Sequence, residues 1–180
     1  MIGPARSKPL DGGPPAPEAM RTDTVVFEVS TISVHRHLAV PLAVAWDELA
    51  DIEHHIEWMA DAVSIEFVSD QRRGAGTRFS CLTQVGPLKT RDLMEITGWE
   101  EGSSITVRHS GLITGEGRLE LRVNPNNGCQ LTWNEVLRFP VVVGGPLAAA
   151  IAQPILTRIW RGNLQRFEQS ALRRLESNEP

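Results

Sequence analysis

Residues 144–176 read GGPLAAAIAQPILTRIWRGNLQRFEQSALRRLE. Apolar side chains recur there at helical spacing: Ile151, Ile155, Leu156, Ile159, Trp160, Leu164, Phe167, Ala171 and Leu175. The stretch therefore predicts one long helix. Pro146 suits its first position, where a missing N–H leaves nothing unpaired. The first half is apolar around most of its circumference. The second half is amphipathic and turns Arg166, Glu168, Gln169, Arg173 and Arg174 to water. Pro154 predicts a bend, because its ring clashes with the preceding turn. Gly162 allows a close approach at some cost in helix stability. A helix with two such different halves needs two kinds of surroundings. We expect a curved sheet to wrap it, with the apolar first half bordering a cavity.

The sheet is legible upstream. From Val63 to Phe139 the apolar period is two. Val63, Ile65 and Phe67 alternate with polar neighbours, and Thr77–Val85 is a further strand. Leu88, Thr90, Asp92, Met94 and Ile96 share one face of the next strand, opposite Lys89, Arg91, Leu93 and Glu95. Ile105, Val107 and His109 share a face, as do Leu119, Leu121 and Val123. Leu131, Trp133, Glu135, Leu137 and Phe139 finish the run. Turns fall at 71–76, 86–87, 101–102 and 124–128, each containing glycine. The result is an antiparallel meander with one wet and one dry face.

Before the meander, Val25–Val40 is β-branched and reads as a long, bent strand. Pro41 opens a helix with Leu42, Ala45, Trp46, Leu49 and Ala50 as its apolar stripe. A shorter helix follows, with Ile52, Ile56 and Met59 inward and Trp58 at its end. The fold class is α+β: a curved antiparallel sheet of about seven strands, two short helices, and a long C-terminal helix packed over the sheet. No other element is large enough to cover the dry face. Residues 1–23 are rich in Pro and Gly and are expected to be a disordered tail, 24–176 one domain, and 177–180 a short tail. Met20, just before the folded part, is an alternative start that N-terminal sequencing of native protein would test.

Composition narrows the function. The chain has 180 residues, 41% of them apolar and 22% charged, and a net charge of −4. That balance gives no support for nucleic-acid binding. Nothing at the N-terminus resembles a signal peptide, and the longest apolar run is too short to span a bilayer. Cys81 and Cys129 have no metal spacing and are expected to be reduced thiols. We expect a cytoplasmic protein without cofactor or metal, as a monomer or homodimer. His54 and His55 beside Asp51 and Glu57, and the pair His35 and His37, lack metal-site spacing; solvated surface is the simpler reading.

The element order, "AVAWDELAD" after Pro41, the turn "GAGTRF", "TGEGRLEL" and "GCQLTWNEVLRFP" resemble the SRPBCC superfamily, the START-like or birch-pollen-allergen-like helix-grip fold. The likeness is greatest to its bacterial polyketide cyclase/dehydrase-like branch and spans about residues 30–176. It implies a deep hydrophobic cavity between sheet and helix, for a lipid, polyketide or quinone-like molecule. Some members carry ligands, some cyclise or dehydrate polyketides, and some modulate other proteins.

Strand parity then nominates the polar groups that would face such a cavity: Thr90, Asp92, His109 and Glu135. Glu135 has two readings. It is a general acid/base or an anchor for a ligand hydroxyl, or it is turned to water or paired by His109 or an arginine. His109 is a proton shuttle or a hydrogen-bonded core histidine. Asp92 is a third acid/base candidate unless Arg91, Arg108 or Lys89 neutralises it. The apolar lining is predicted to be Trp58, Leu88, Met94, Val107, Leu119, Trp133, Leu137, Ile151, Ile155 and Ile159. Trp58 is a lid at the mouth or a core aromatic, and Val141–Pro146 a glycine-hinged gate. Binding or transport of a hydrophobic small molecule leads. A polyketide cyclase, aromatase or dehydratase comes second, and a ligand-sensing interaction module third.

Overall fold

The computed structural model describes residues 26–28, 31–112, 114–125, 128–140 and 145–177. The predicted N-terminal tail, residues 141–144 of the predicted gate and the last three residues lie outside them. In order come β1 (Val26–Glu28), β2 (Ile32–Leu38), α1 (Leu42–Ala50), a 3₁₀ turn (Ile52–His54) and α2 (His55–Trp58). Then follow β3 (Ala62–Phe67), β4 (Arg78–Val85), β5 (Leu88–Glu100), β6 (Ser104–Ser110), β7 (Thr114–Val123), β8 (Cys129–Pro140) and α3 (Gly145–Ser177).

The strands form one antiparallel sheet in the order β1–β8–β7–β6–β5–β4–β3, with β2 also on β8. β1 and β2 thus share one sheet position, and the predicted first strand is two segments. The reason is a mismatch in length. Glu28 stands opposite Arg138 and Ile32 opposite Glu135, so the first strand carries one residue more than its partner between these points. Register also slips between Ala62 and Ser64 and between Ile96 and Gly98. Such bulges bend and twist a sheet, as wrapping a helix requires.

Most predicted faces are correct. On β5, Thr90, Asp92, Met94 and Ile96 are buried while Lys89, Arg91 and Leu93 are exposed. Three inward assignments fail. Val63 is the extra residue of its bulge and is exposed; Val123 ends its strand in water; Ile56 points outward. His55 takes the inward place expected of Ile56, because the 3₁₀ turn before α2 shifts the helical phase. His55 is thus buried rather than solvated. Its Nε2 donates to Leu49 O at 2.8 Å, and burial pushes its pKa down to about 4. The side chain of Phe139 lies outside those described. Cys81 and Cys129 are both buried, which pushes both thiols up.

The second half of α3 is the packed half. Phe167 is fully buried, its ring edge-on to Trp58 at 5.1 Å. Polar groups fix the same stretch. Asn163 Nδ2 donates to Asp61 Oδ1 at 2.7 Å, and Asn163 Oδ1 accepts from Ala60 N at 3.1 Å. Arg166 Nε donates to Trp58 O, and Arg174 spans Glu48 and Asp51. Each of these pairs ties the helix to the stretch that runs from α1 through α2 to the turn before β3.

Candidate functional site

Between the sheet and α3 lies a cavity of about 120 Å³. An inner chamber of about 70 Å³ adjoins it, and Met59, Cys81, Met94, His109, Trp133 and Glu135 line both. The outer cavity is bounded by β4 and β5 (Thr83, Val85, Leu88, Thr90, Asp92), by Leu137 on β8 and by Leu156 and Trp160 on α3. The inner chamber is walled by Trp58, Phe79, Ile105, Val107, Leu119 and their neighbours. A larger groove, about 620 Å³, runs between β2 and α3, but its walls are Arg36, Arg158, Arg161 and other largely polar residues. It is unsuited to an apolar ligand.

The acid–base candidates of the sequence meet here. Glu135 is 2% exposed, and its Oε2 accepts from Trp133 Nε1 at 2.8 Å. His109 Nε2 stands 2.9 Å from Glu135 Oε1. That is ion-pair distance, but the N–H is not aimed at Oε1, which has no aligned hydrogen-bond donor. Burial disfavours a charged His109. The contact with Glu135 and the charges of Glu135 and Asp92 outweigh it, so the imidazole pKa is raised.

β7 makes this pair possible. His109 on β6 is opposite Gly115, and Glu135 on β8 is opposite Gly117. A Cβ on Gly117 would stand 2.3 Å from Glu135 Oε2, and one on Gly115 would stand 2.1 Å from Val136 O. With no side chain at Gly117, the Glu135 carboxyl lies over β7 and reaches the imidazole across the intervening strand. A glycine on the dry face of a strand, Gly117, was the signal in "TGEGRLEL" that parity alone overlooked.

Asp92 is held differently from its expected pairing. Arg91 turns to the outer face, 3.3 Å from Glu66. Asp92 instead accepts from Thr90 Oγ1 at 3.0 Å and from Leu112 N at 3.1 Å. The missing side chain of Gly111 leaves room for it, since a Cβ there would lie 1.9 Å from Asp92 Oδ1.

Among the predicted apolar residues, Met94, Val107, Leu119, Trp133 and Leu137 line one or both chambers. Leu88 is half exposed at the rim. Trp58 is a core aromatic against Phe167 and Trp133, so the lid reading fails. Ile151 and Ile155 are 57% and 46% exposed and line neither chamber; nor does the partly buried Ile159. Leu156 and Trp160 form the helix wall in their place. The phase of the packed half foretells this: stepping back from Phe167 by three, four and four gives Leu164, Trp160 and Leu156. Among the described residues, no three His, Cys, Asp or Glu side chains are placed to share a metal ion.

The sequence matches, over residues 30–171, the family described as polyketide cyclase / dehydrase and lipid transport. The chain belongs to this family. No functionally curated protein matches it. Among solved structures it is similar to a protein of Thermus thermophilus, with TM-score 0.70 and 18% identity over 83% of this chain and 100% of that one. It is also similar to the ZhuI aromatase/cyclase of a Streptomyces species (R1128), with TM-score 0.69 and 14% identity over 82% and 96%. A third is Ara h 8.0201, with TM-score 0.61 and 17% identity over 80% and 98%. At such identities the likeness establishes the fold, the helix-grip architecture of the SRPBCC superfamily. Among the described residues no helix is long and apolar enough to cross a membrane.

Proposed function

We propose that this protein binds and carries a hydrophobic small molecule between the sheet and α3. The supporting observation is the pair of adjoining chambers, apolar over most of their walls, with His109 and Glu135 where they meet. Burial of apolar ligand surface, at roughly 25 cal/mol per Å², supplies the affinity. His109, Glu135, Thr90 and Asp92 supply orientation. The outer volume is near the ~150 Å³ of a cavity that takes benzene, and below the ~300–1,000 Å³ of pockets for drug-sized ligands. A single ring or short chain fits the walls as they stand. A longer ligand displaces Met59, Met94 and Leu156, of which the methionines have the more adaptable side chains.

Native mass spectrometry of protein from its own host tests this directly, by revealing a co-purifying apolar molecule. Titration with the uncharged dye N-phenyl-1-naphthylamine gives a second measurement. Fluorescence should rise on binding, and Leu156→Trp, which fills the outer cavity, should abolish the rise. An empty mass spectrum together with no dye binding would sink the carrier reading.

Acid–base chemistry is the second reading, and one observation favours it: the buried His109–Glu135 contact opens onto both chambers. The pair sets an imidazole whose pKa is raised beside a carboxyl group, two side chains able to move a proton. Such a pair suits cyclisation or dehydration of a bound poly-ketone, the chemistry in the family's description.

A further inference from the structure

Two buried polar atoms in the inner chamber have complementary needs. Trp58 is 1% exposed, and its Nε1 has a hydrogen to donate and no acceptor. Glu135 Oε1 is buried, and the His109 Nε2 that stands 2.9 Å from it is not aligned to donate. Most buried polar groups in native proteins are paired, and leaving one unpaired costs about 1–3 kcal/mol. These two residues line the same chamber of about 70 Å³, whose other walls are the imidazoles of His55 and His109, the rings of Trp133 and Phe79, and mostly apolar side chains. Neither orphan serves the packing of Trp58 on Phe167, which uses the ring face and edge.

We infer that the inner chamber is a hydroxyl subsite, built to take the hydroxylated end of a ring-bearing ligand. This rests on the carrier reading and sharpens it to a ligand class. An indole N–H can only donate, and an ionised carboxylate can only accept. A hydroxyl does both at once: its oxygen accepts from Trp58 Nε1, and its proton goes to Glu135 Oε1. A ketone or ether satisfies Trp58 and leaves Glu135 Oε1 with the misaligned His109 alone. A ligand carboxylate meets Glu135 as a like charge, and a hydrocarbon satisfies neither atom. The aromatic walls favour a flat ring behind the hydroxyl, so a phenol-type group matches the chamber in shape as well as polarity.

Displacement of bound N-phenyl-1-naphthylamine by three probes of one shape tests this near neutral pH: 2-naphthol, 2-methoxynaphthalene and naphthalene. 2-Naphthol should bind about tenfold or more tightly than either of the others. In Trp58→Phe the preference should shrink while naphthalene still binds; equal loss of all three affinities would mean that Trp58 is only structural. Should Trp58→Phe fail to fold, Glu135→Gln retains the shape. Its amide oxygen keeps the Trp133 N–H, and its NH₂, beside His109, donates where the carboxylate accepted, so 2-methoxynaphthalene should gain on 2-naphthol. Dye binding with no preference among the three probes would overturn the subsite and leave the carrier standing. It would also be the result if a fixed internal water serves the two atoms. No binding by dye or probes would overturn both.

Discussion

The two halves of α3 meet the same sheet in opposite ways. From Trp160 onward the inward side chains Leu164, Phe167 and Ala171 are at most 1% exposed, and Asn163, Arg166 and Arg174 bond to the body of the protein. Before Trp160, Ile151 and Ile155 face water, and Leu156 closes a cavity. One half fixes the helix to the fold. The other touches the core through the partly buried Ala152, Leu156 and Ile159 and leaves a space beside Leu156. A cavity survives in a protein only where neighbouring packing is strong enough to prevent collapse.

The largest effect should come from the packed half. Phe167→Ala removes a fully buried ring from between α3 and Trp58. It should cost about 3–5 kcal/mol in denaturant unfolding. A loss below about 1.5 kcal/mol would mean that the packed half does not anchor the helix.

The next effect separates two histidines, one from each region. His55, at the packed end, has its pKa pushed down to about 4 from 6.5 by burial. The unfolded chain therefore takes up this proton first as pH falls. Its contribution is intact above pH 6.5 and is lost between there and about 4, a loss of roughly 3 kcal/mol. His109, in the cavity, is raised by Glu135. Its contribution is complete below pH 6.5 and disappears as pH rises through the folded value. Stability against pH for His55→Asn and His109→Gln should show the two slopes removed separately, the first on the acid side and the second above 6.5. A single shared slope would contradict the opposite environments.

Much of this was legible in the sequence. Period-two patterning located the six strands from β3 to β8, and their faces, because alternation is imposed by the pleat. It also put Thr90, Asp92, His109 and Glu135 on the dry face. The pattern does not encode which groups meet across a strand. That depended on Gly117, whose missing side chain leaves the Glu135 carboxyl its place over β7. Nor does it give the phase of a helix that is apolar all round: with Ile151, Ile155, Leu156 and Ile159 all apolar, composition does not choose a face. Ile56 and His55 exchanged places for a related reason, a 3₁₀ turn that changes the angular step by a fraction of a residue.

The smallest effect is expected at the open half, and it decides whether the contrast is real. Ile151→Ser with Ile155→Ser removes two branched apolar side chains from one helix face. Were these the cavity wall, the pair would leave a void and cost several kcal/mol, like other large-to-small changes in a core. With about half of each residue already in water, the loss should stay within about 0.5 kcal/mol per site, since isoleucine and serine have similar helix propensities. Dye affinity should not move, because neither residue touches either chamber. A large loss of stability with unchanged affinity would mean that the first half of α3 is packed after all. Unchanged stability with lost affinity would place these isoleucines in the path of the ligand. Only if both stay constant does the helix divide at Trp160 into a half that holds the fold and a half that borders the cavity.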